Sequence, residues 1–285
     1  MNALELINIG ETKLRQKKIE SFRLDSELLL SKILNKKREQ ILINLDQKIS
    51  QKKFSSYKKL IQRRSNNEPI AYIMEEKEFW SKNFFVNKDT LIPRPETELM
   101  VEKIIEIFKE KRISILDIGT GSGCILISLL SELNSSKGLG IDISKKALIV
   151  AKKNSEKHKI LSNIKFLNKS LDDKFNEKFD LIVSNPPYIK SSEIKNLRED
   201  IKKYEPRIAL DGGNDGLDLI KKVIYKTKNI LKIKGMLALE IGNEQDKKVS
   251  KILIKNNFRI EHLIKDYKSN VRCIISTYLK KQYDK

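Results

Sequence analysis

The sequence is poor in the residues that build disulfide frameworks and metal sites. Its 285 residues include two cysteines, Cys124 and Cys273, and two histidines, His158 and His262. The cysteines lie far apart without a CxxC pair, so we expect neither a disulfide nor a zinc site. Both are interpreted as small buried residues. Each histidine stands alone among charged neighbours, and no metal is predicted.

Long apolar runs are also absent. No stretch approaches the roughly 18 apolar residues that a membrane helix requires. The first 18 residues lack the basic-then-apolar layout of a secretory signal and are typical of an amphipathic helix. We therefore expect no membrane contact and a cytoplasmic location. With 39% hydrophobic residues, 6 prolines and 11 glycines, the chain is globular, with one sizeable core plus a smaller domain, or two domains.

Arginine is scarce among the positive charges. The formal net charge is +20, but only 11 of the 58 basic residues are Arg. Recognition of phosphates and base edges favours the Arg fork, and the excess Lys is spread along the chain. This usage is typical of a compositional bias. It does not favour direct nucleic-acid binding, while a preference for an acidic or nucleic-acid-associated partner stays open.

The chain divides into three predicted regions. Residues 1–74 show helical periodicity and form a small helical domain. Its three helices are marked by apolar residues at 4–19, 24–34 and 54–61, the third capped by Asp46 or Ser50. Residues 75–95 change character and indicate a β-hairpin connector. Residues 96–285 form the larger domain.

Strands and helices alternate in the larger domain. The seven predicted strands are ISILDI, GLGID, NIKFLN, FDLIVSN, GMLALEIG, RIEHLI and RCIISTYL. The helices between them are predicted near 96–109, 122–133, 144–158, 216–232 and 244–257. Repeated βα units predict an α/β fold with a doubly wound, mainly parallel seven-stranded sheet. The last two strands have no helix between them and should form an antiparallel pair at the edge.

A glycine loop, LDIGTGSGC, joins the first of these strands to its helix. Gly119, Gly121 and Gly123 allow a tight turn and close approach of a ligand, although a simple βα turn explains them too. A dinucleotide-binding loop would need Gly where Cys124 stands, and a P-loop would need a terminal GK[ST]. The remaining candidate is the GxGxG loop of S-adenosylmethionine enzymes.

Two acidic residues flank this loop. Asp142 ends the second strand, 23 residues after Gly119, where a carboxylate can accept both ribose hydroxyls of an adenosine cofactor. It could instead cap the next helix. Asp117 precedes the loop and either orders it or lies near the cofactor amine. The combination predicts an adenosine-type cofactor.

The segment SNPPYI follows the fourth strand, beside the glycine loop. The Asn185 side-chain oxygen and the Pro186 carbonyl offer two acceptors for an NH2 group. Pro187 fixes Pro186 in an extended conformation and supplies no N–H. Tyr188 offers an aromatic face to a planar group. This pattern predicts methyl transfer to a planar nitrogen, with positioning as the main catalytic device.

Several motifs together resemble one family over nearly the whole chain. EPIAYI, EFW, LIPRPETE, DIGTGSGC, SNPPYI and YEPRIALDGGNDGL are similar to those of the release-factor glutamine methyltransferases (HemK/PrmC type). The resemblance implies a Rossmann-like class I methyltransferase domain and a partner-binding role for the helical domain of residues 1–74. It implies transfer of a methyl group from S-adenosylmethionine to the amide nitrogen (N5) of the Gln in the Gly-Gly-Gln motif of class I peptide chain release factors.

The family's functional residues carry over to matching positions. The cofactor-binding residues implied are Gly119, Thr120, Gly121, Ser122, Gly123, Asp142, Leu171 and Asn185. The substrate-binding residues implied are Asn185, Pro186, Pro187 and Tyr188, of which Asn185, Pro186 and Tyr188 are the catalytic candidates. Many members carry Asp and an aromatic residue near the adenine, where this chain has Ser170 and Leu171.

Two other functions remain open at this point. NPPY also occurs in DNA adenine-N6 and RNA guanine-N2 amino methyltransferases, which would need a surface that reads bases. A Lys-rich binding protein on a methyltransferase scaffold would transfer no methyl group.

Overall fold

The computed structural model describes residues 1–279, which group into two compact units. The smaller contains residues 1–76 and 198–204, and the larger contains 77–197 and the chain from Glu205 onward. The helices are α1 Ala3–Gln16, α2 Phe22–Leu34, α3 Arg38–Leu42, α4 Gln51–Ser65, α5 Ile70–Met74, α6 Pro95–Phe108, α7 Cys124–Glu132, α8 Lys145–Lys157, α9 Glu199–Tyr204, α10 Asp218–Thr227 and α11 Asp246–Lys255. The strands are β1 Lys77–Phe79, β2 Lys82–Phe84, β3 Ser114–Ile118, β4 Lys137–Asp142, β5 Ile164–Asn168, β6 Phe179–Ser184, β7 Leu231–Glu240, β8 Phe258–Lys265 and β9 Val271–Tyr278.

The smaller unit is built mainly from α1, α2 and α4. These are the three helices that the sequence periodicity predicted, and Leu6, Leu29 and Tyr57 form their fully buried contacts. Helix α1 begins at Asn2, whose side chain accepts a hydrogen bond from the Glu5 amide at 2.9 Å while the Glu5 carboxylate accepts from the Asn2 amide. This capping box satisfies amides that a helix start leaves unpaired.

A short segment from the second half of the chain also belongs to the smaller unit. Helix α9 lies at residues 199–204, and the Tyr204 hydroxyl donates a hydrogen bond of 2.9 Å to the Asn66 carbonyl. The division of the sequence at residue 74 did not anticipate this, because the two partners are 138 positions apart. No local pattern reveals such a contact.

The hairpin predicted within 75–95 is shorter than expected and packs inside the larger unit. Strands β1 and β2 pair antiparallel from Lys77–Phe84 to Phe79–Lys82. Phe79 and Phe84 are fully buried against Met100 and Ile104 of α6. The aromatic side chains that suggested a connector therefore form part of the larger unit's core.

A seven-stranded sheet organises the larger unit, with strand order β5-β4-β3-β6-β7-β9-β8. All neighbouring pairs are parallel except those that involve β9, which runs antiparallel to β7 and β8. The doubly wound sheet and its antiparallel edge pair confirm the predicted fold class. Strands β4 and β5 follow β3 on one side of the sheet, and β7, β9 and β8 follow β6 on the other. Open α/β sheets bind ligands where the strand order reverses in this way, here between β3 and β6.

Helices cover both faces of this sheet. On one face, Ile115 and Leu181 pack with α6 and α7, and on the other, Leu116 and Ile182 pack with α10 and α11. Side chains alternate across a strand, so adjacent residues of β3 and β6 supply the two cores. Burying each such side chain contributes roughly 1.5–3 kcal/mol.

One predicted boundary is wrong. The helix expected at 216–232 ends at Thr227, and β7 begins at Leu231 rather than at Gly235. Leu231 pairs with Phe179 across an irregular step in the β6–β7 register. The apolar residues Ile230 and Leu231 fit a helical period, but sheet pairing determines their conformation. Residues 280–285 of the predicted larger domain lie outside the described residues.

Candidate functional site

A cavity of about 370 Å³ lies in the larger unit, at the carboxyl ends of β3, β4 and β6. This volume is typical of small-molecule sites. Its lining includes these predicted site residues: Gly119, Thr120, Gly121, Ser122, Asp142, Leu171, Asn185, Pro186 and Pro187. Gly123 and Tyr188 are not among the lining residues. The fold thus brings most of the predicted cofactor-binding and substrate-binding residues to one cavity.

The glycine loop presents bare backbone to this cavity. Gly119 has φ +72° and Gly121 has φ +55°, conformations that L side chains rarely adopt. A Cβ built on Gly119 would have no neighbour within 4 Å, and one on Gly121 would meet only the Gly119 carbonyl at 3.9 Å. Main-chain atoms therefore face open space, as required for close approach of a ligand.

Gly123 has a different role. A Cβ on Gly123 would lie 3.0 Å from the Ile127 side chain and 3.3 Å from that of Ala151. Its amide donates to the Thr120 carbonyl at 2.8 Å, and its φ of +79° starts α7. Gly123 closes the loop and lets α7 approach α8, so its predicted contact with a cofactor stays a prediction.

Asp142 is fixed by the loop that it faces. One carboxylate oxygen accepts from the Gly121 amide at 3.0 Å and the other from the Ser144 amide at 2.8 Å. Burial raises the pKa of Asp142, while these amides lower it. Each oxygen keeps a lone pair, so the carboxylate can accept two further hydroxyl hydrogens.

Asp117 lies beneath the same loop and is almost completely buried. One oxygen accepts from the Thr120 hydroxyl at 2.7 Å, which orders the loop as the sequence indicated. The other oxygen has no hydrogen-bond partner among the described residues. Burial raises the pKa of Asp117 to about 7. An unpaired buried oxygen is costly, so a donor from a ligand would stabilise it.

Leu171 forms an apolar part of the cavity wall. It is buried, and the neighbouring Ser170 also lines the cavity. Ile143 adds a second apolar side chain that sequence reasoning missed, although it directly follows Asp142 and is more than half exposed. Both side chains offer apolar surface to the cavity.

Asn185 connects the cavity to a buried polar chain. Its side-chain amide nitrogen donates to the Thr97 hydroxyl oxygen at 3.5 Å, and the Thr97 hydroxyl donates to Glu240 at 2.6 Å. Glu240 ends β7 and is 1% exposed. Burial raises the pKa of Glu240 to about 6, against the opposing effects of Thr97 and Arg272.

Tyr188 turns away from the cavity. Its hydroxyl lies 3.5 Å from Glu240 and accepts from the Arg272 guanidinium at 3.1 Å, whose carbon is 5.5 Å from the ring centroid. Burial raises the pKa of Tyr188 to about 12. The ring therefore packs on Arg272, and its predicted contact with the substrate stays a prediction.

The loop that contains Gly212 and Gly216, together with the Gln245 side chain, packs against the Asn-Pro-Pro-Tyr segment. The Gln245 side chain donates to the carbonyls of Tyr188 at 3.0 Å and Gly216 at 3.3 Å. A Cβ on Gly216 would lie 2.4 Å from the Tyr188 carbonyl, and one on Gly212 would lie 2.7 Å from the Pro187 carbonyl. Only glycines allow this approach, which explains the GGNDG stretch of the sequence.

Sequence reasoning did not assign Thr97, Glu240 or Gln245 to the site. Thr97 lies within the quoted LIPRPETE motif, but nothing in the local pattern indicated that its side chain contacts Asn185 and Glu240.

Asn154 was also missed: it donates to the carbonyls of Phe85 and Ser122 and accepts from the Phe85 amide, at 2.7–2.9 Å. It thereby ties the segment after the hairpin to the glycine loop.

The remaining predictions concern metals, thiols and membranes. Cys124 and Cys273 are free and buried, as expected. Within residues 1–279, no group of three or more His, Cys, Asp or Glu side chains is arranged to hold a metal ion. None of the helices formed by those residues is both long and apolar enough to cross a membrane.

Family models match both parts of the chain. A model of the PrmC N-terminal domain matches residues 5–74, and a methyltransferase domain model matches residues 109–283. Among solved structures, a methyltransferase from Pyrococcus furiosus aligns with a TM-score of 0.53 and 17% identity, over 77% of this chain and 99% of that one. At this identity the likeness supports the fold alone.

Curated relatives are more similar. A release factor glutamine methyltransferase from Buchnera aphidicola is 43% identical over 89% of this chain and 91% of its own. One from Clostridium botulinum is 39% identical over 95% of this chain and 97% of its own. A bifunctional methyltransferase from Rickettsia typhi is 37% identical over 95% of this chain, which spans only 56% of that relative's length.

The relatives from Buchnera aphidicola and Clostridium botulinum are matched over 91% and 97% of their length, and the family models match parts of both the helical unit and the unit that contains the cavity. The glycine loop and the Asn-Pro-Pro part of the following segment line that cavity. On these matches, this chain belongs to the release factor glutamine methyltransferase family.

Proposed function

We propose that this protein transfers a methyl group from S-adenosylmethionine to the side-chain amide nitrogen (N5) of the Gln in the Gly-Gly-Gln motif of class I peptide chain release factors. One observation carries the proposal. The glycine loop with Asp142 and the acceptor pair of Asn185 and Pro186 line a single cavity, so a methyl donor and a planar NH2 group can meet there.

The residues on one side of the cavity fit the methyl donor. Bare backbone at Gly119 and Gly121 leaves room for the methionine part. Asp142 is oriented to accept ribose hydroxyls, and Asp117 orders the loop through the Thr120 hydroxyl. Leu171 and Ile143 offer apolar surface for the adenine.

The residues on the other side fit the methyl acceptor. When bound, S-adenosylmethionine supplies a methyl group on a sulfonium sulfur, which is a strong electrophile. The glutamine amide nitrogen is a weak nucleophile because its lone pair is delocalised into the carbonyl. Asn185 and Pro186 accept its two N–H groups, hold the nitrogen in place and favour a lone pair directed at the methyl group.

No strong base is needed in this scheme. The nitrogen–carbon bond forms as the carbon–sulfur bond breaks, and the nitrogen then releases one proton to water. Pro187 has no N–H that could compete for the Pro186 carbonyl. The helical unit of residues 1–76 would bind the body of the release factor, and the net charge of +20 would suit an acidic partner.

The test is transfer of labelled methyl from S-adenosylmethionine to a purified class I release factor. A matched release factor carries Ala in place of the Gln of its Gly-Gly-Gln motif. We expect label on the wild-type factor alone, unchanged by nuclease treatment of the sample. An Asn185→Ala enzyme serves as the control for methyl transfer by contaminants.

Three other results would change the proposal. Label on both release factors would place the methyl group elsewhere on the substrate. Label on total RNA or DNA, with none on either factor, would favour an amino methyltransferase of nucleic acids. Binding of S-adenosylmethionine without transfer to any substrate would favour the non-catalytic alternative.

A further inference from the structure

The carboxylate of Glu240 is buried close to Asn185 but does not line the cavity. Glu240 is 1% exposed, is absent from the cavity lining and ends β7 beside β6. The proposed transfer of a methyl group does not use it. Burying a carboxylate is costly, so its hydrogen-bond partners need an explanation.

Thr97 lies between this carboxylate and Asn185. It belongs to the first turn of α6 and is 2% exposed. Its hydroxyl donates to Glu240 Oε2 at 2.6 Å, and its oxygen accepts from Asn185 Nδ2 at 3.5 Å. The chain of contacts therefore links strand β7, helix α6 and the segment after β6.

The number of hydrogens that each group can donate determines the direction of the hydrogen bonds from Asn185 through Thr97 to Glu240. A threonine hydroxyl has one hydrogen to donate and two lone pairs. An ionised Glu240 only accepts, so it takes that hydrogen, and the Thr97 oxygen then offers lone pairs alone to Asn185. The NH2 side of the Asn185 amide must face Thr97. Its carbonyl oxygen is then free for the cavity that Asn185 lines.

We propose that Thr97 and Glu240 are positioning residues, which hold the Asn185 amide with its oxygen available to the methyl-acceptor nitrogen. This inference rests on the proposed function, because the acceptor nitrogen is the group that Asn185 must bind. An amide turned by 180° would present its own NH2 to the N–H groups of the substrate. Two donors would then face each other, and the substrate nitrogen would not be held.

Protonation of Glu240 would reverse the direction of the hydrogen bonds between Glu240, Thr97 and Asn185. A protonated carboxyl donates to the Thr97 oxygen, and the Thr97 hydrogen is then free to bond the Asn185 oxygen. The groups that face Glu240 are Thr97 and Glu96 of α6, Asn185 and Tyr188 after β6, Arg272 and Cys273 of β9, and Cys124 of α7. Arg272 lowers the pKa of Glu240, whereas burial, the largest effect, and Glu96 raise it.

The first test compares Thr97→Val with Thr97→Ser. Valine has nearly the shape of threonine but neither donates nor accepts, while serine keeps the hydroxyl. With release factor as substrate, we expect Thr97→Val to lower kcat about 10- to 100-fold, at cofactor affinity within about twofold of wild type. Thr97→Ser should keep kcat within about threefold of wild type. An unchanged kcat in Thr97→Val, or equal losses in both variants, would overturn the proposal.

The second test uses the pH dependence of kcat. Since the pKa of Glu240 is raised to about 6, activity should fall as pH decreases through that value in the wild type and in Thr97→Ser. Glu240→Gln cannot ionise, so its kcat should lose this acid limb. An acid limb that persists in Glu240→Gln would contradict the role of Glu240.

A third measurement needs no methyl transfer and separates this inference from the proposed function. In 15N-labelled protein without ligands, the side-chain NH2 signals of Asn185 are assigned by their loss in Asn185→Asp. These signals should shift with pH near 6 in the wild type and stay constant in Glu240→Gln. Constant wild-type signals would overturn the positioning role. A shift without methyl transfer to release factor would instead overturn the proposed function.

Discussion

Two segments contribute residues to the cavity lining, and they are held in different ways. The glycine loop at 119–123 turns through its own positive φ angles, and its main-chain atoms bond to Ile141, Asp142 and Asn154. The Asn-Pro-Pro-Tyr segment at 185–188 is held by side chains from 52 to 88 positions away, mostly through its own side chains. Main-chain hydrogen bonds hold the first segment, and side-chain contacts hold most of the second.

This difference matches the demands on each segment. A cofactor with many contacts can be bound by open backbone and one oriented carboxylate. The proposed acceptor pair must hold a single nitrogen within about 0.5 Å, and misplaced groups in such positions lower rates strongly. Hydrogen bonds to side chains therefore support Asn185, whereas the hydrogen bond at Gly119 is made by its main-chain amide to the Ile141 carbonyl.

The largest effect should come from removing the acceptor itself. Asn185→Ala deletes the amide oxygen proposed to hold the substrate nitrogen. We therefore expect kcat for release factor to fall about 10²- to 10³-fold, by analogy with removal of one oriented group from an oxyanion hole. Cofactor affinity, measured by calorimetry, should change less than about threefold. Asn229→Ala, at an exposed position, is the control. Equal losses of affinity and rate would assign Asn185 to cofactor binding.

The opposite result is expected on the glycine-loop side. Asp142→Ala removes the carboxylate that faces the proposed ribose, so affinity for S-adenosylmethionine should weaken about 10- to 100-fold. At saturating cofactor, kcat should remain within about threefold of wild type. Asp142→Asn, which keeps one acceptor oxygen, should show a smaller loss. An unchanged dissociation constant in Asp142→Ala would remove the ribose role.

A pair of glycine substitutions sharpens the comparison with a smaller effect. Gly216→Ala and Gly119→Ala both put a side chain at a positive φ, so both should lower the free energy of unfolding by about 1–2 kcal/mol. Only Gly216→Ala forces a contact, 2.4 Å from the Tyr188 carbonyl. It should lower kcat about tenfold and spare cofactor affinity, while Gly119→Ala should do the reverse. Urea unfolding measures the stability of each variant, calorimetry its cofactor affinity and kinetics its kcat. If both variants lost cofactor affinity, or both lost kcat, the distinction between the two segments would be contradicted.

The sequence predicted local features well for a physical reason. The predictions used short-range patterns: helical and strand periods, glycines at a βα turn and an acidic residue at a strand end. From these patterns the seven strands, the antiparallel pair at the edge and the position of Asp142 could be inferred. The glycine loop and Asp142 indicated the cofactor, and family resemblance added the expected substrate. Boundaries were less certain where apolar residues fitted two patterns, as at the start of β7.

Only the tertiary structure decided the surroundings of Asn185 and Tyr188. The sequence alone determined that an Asn and two prolines follow β6, because their chemistry is written in adjacent residues. It did not determine that Thr97 and Glu240 stand behind Asn185, or that Tyr188 packs on Arg272. These contacts join parts of the chain more than 50 positions apart, and hydrogen-bond direction depends on three side chains meeting in space.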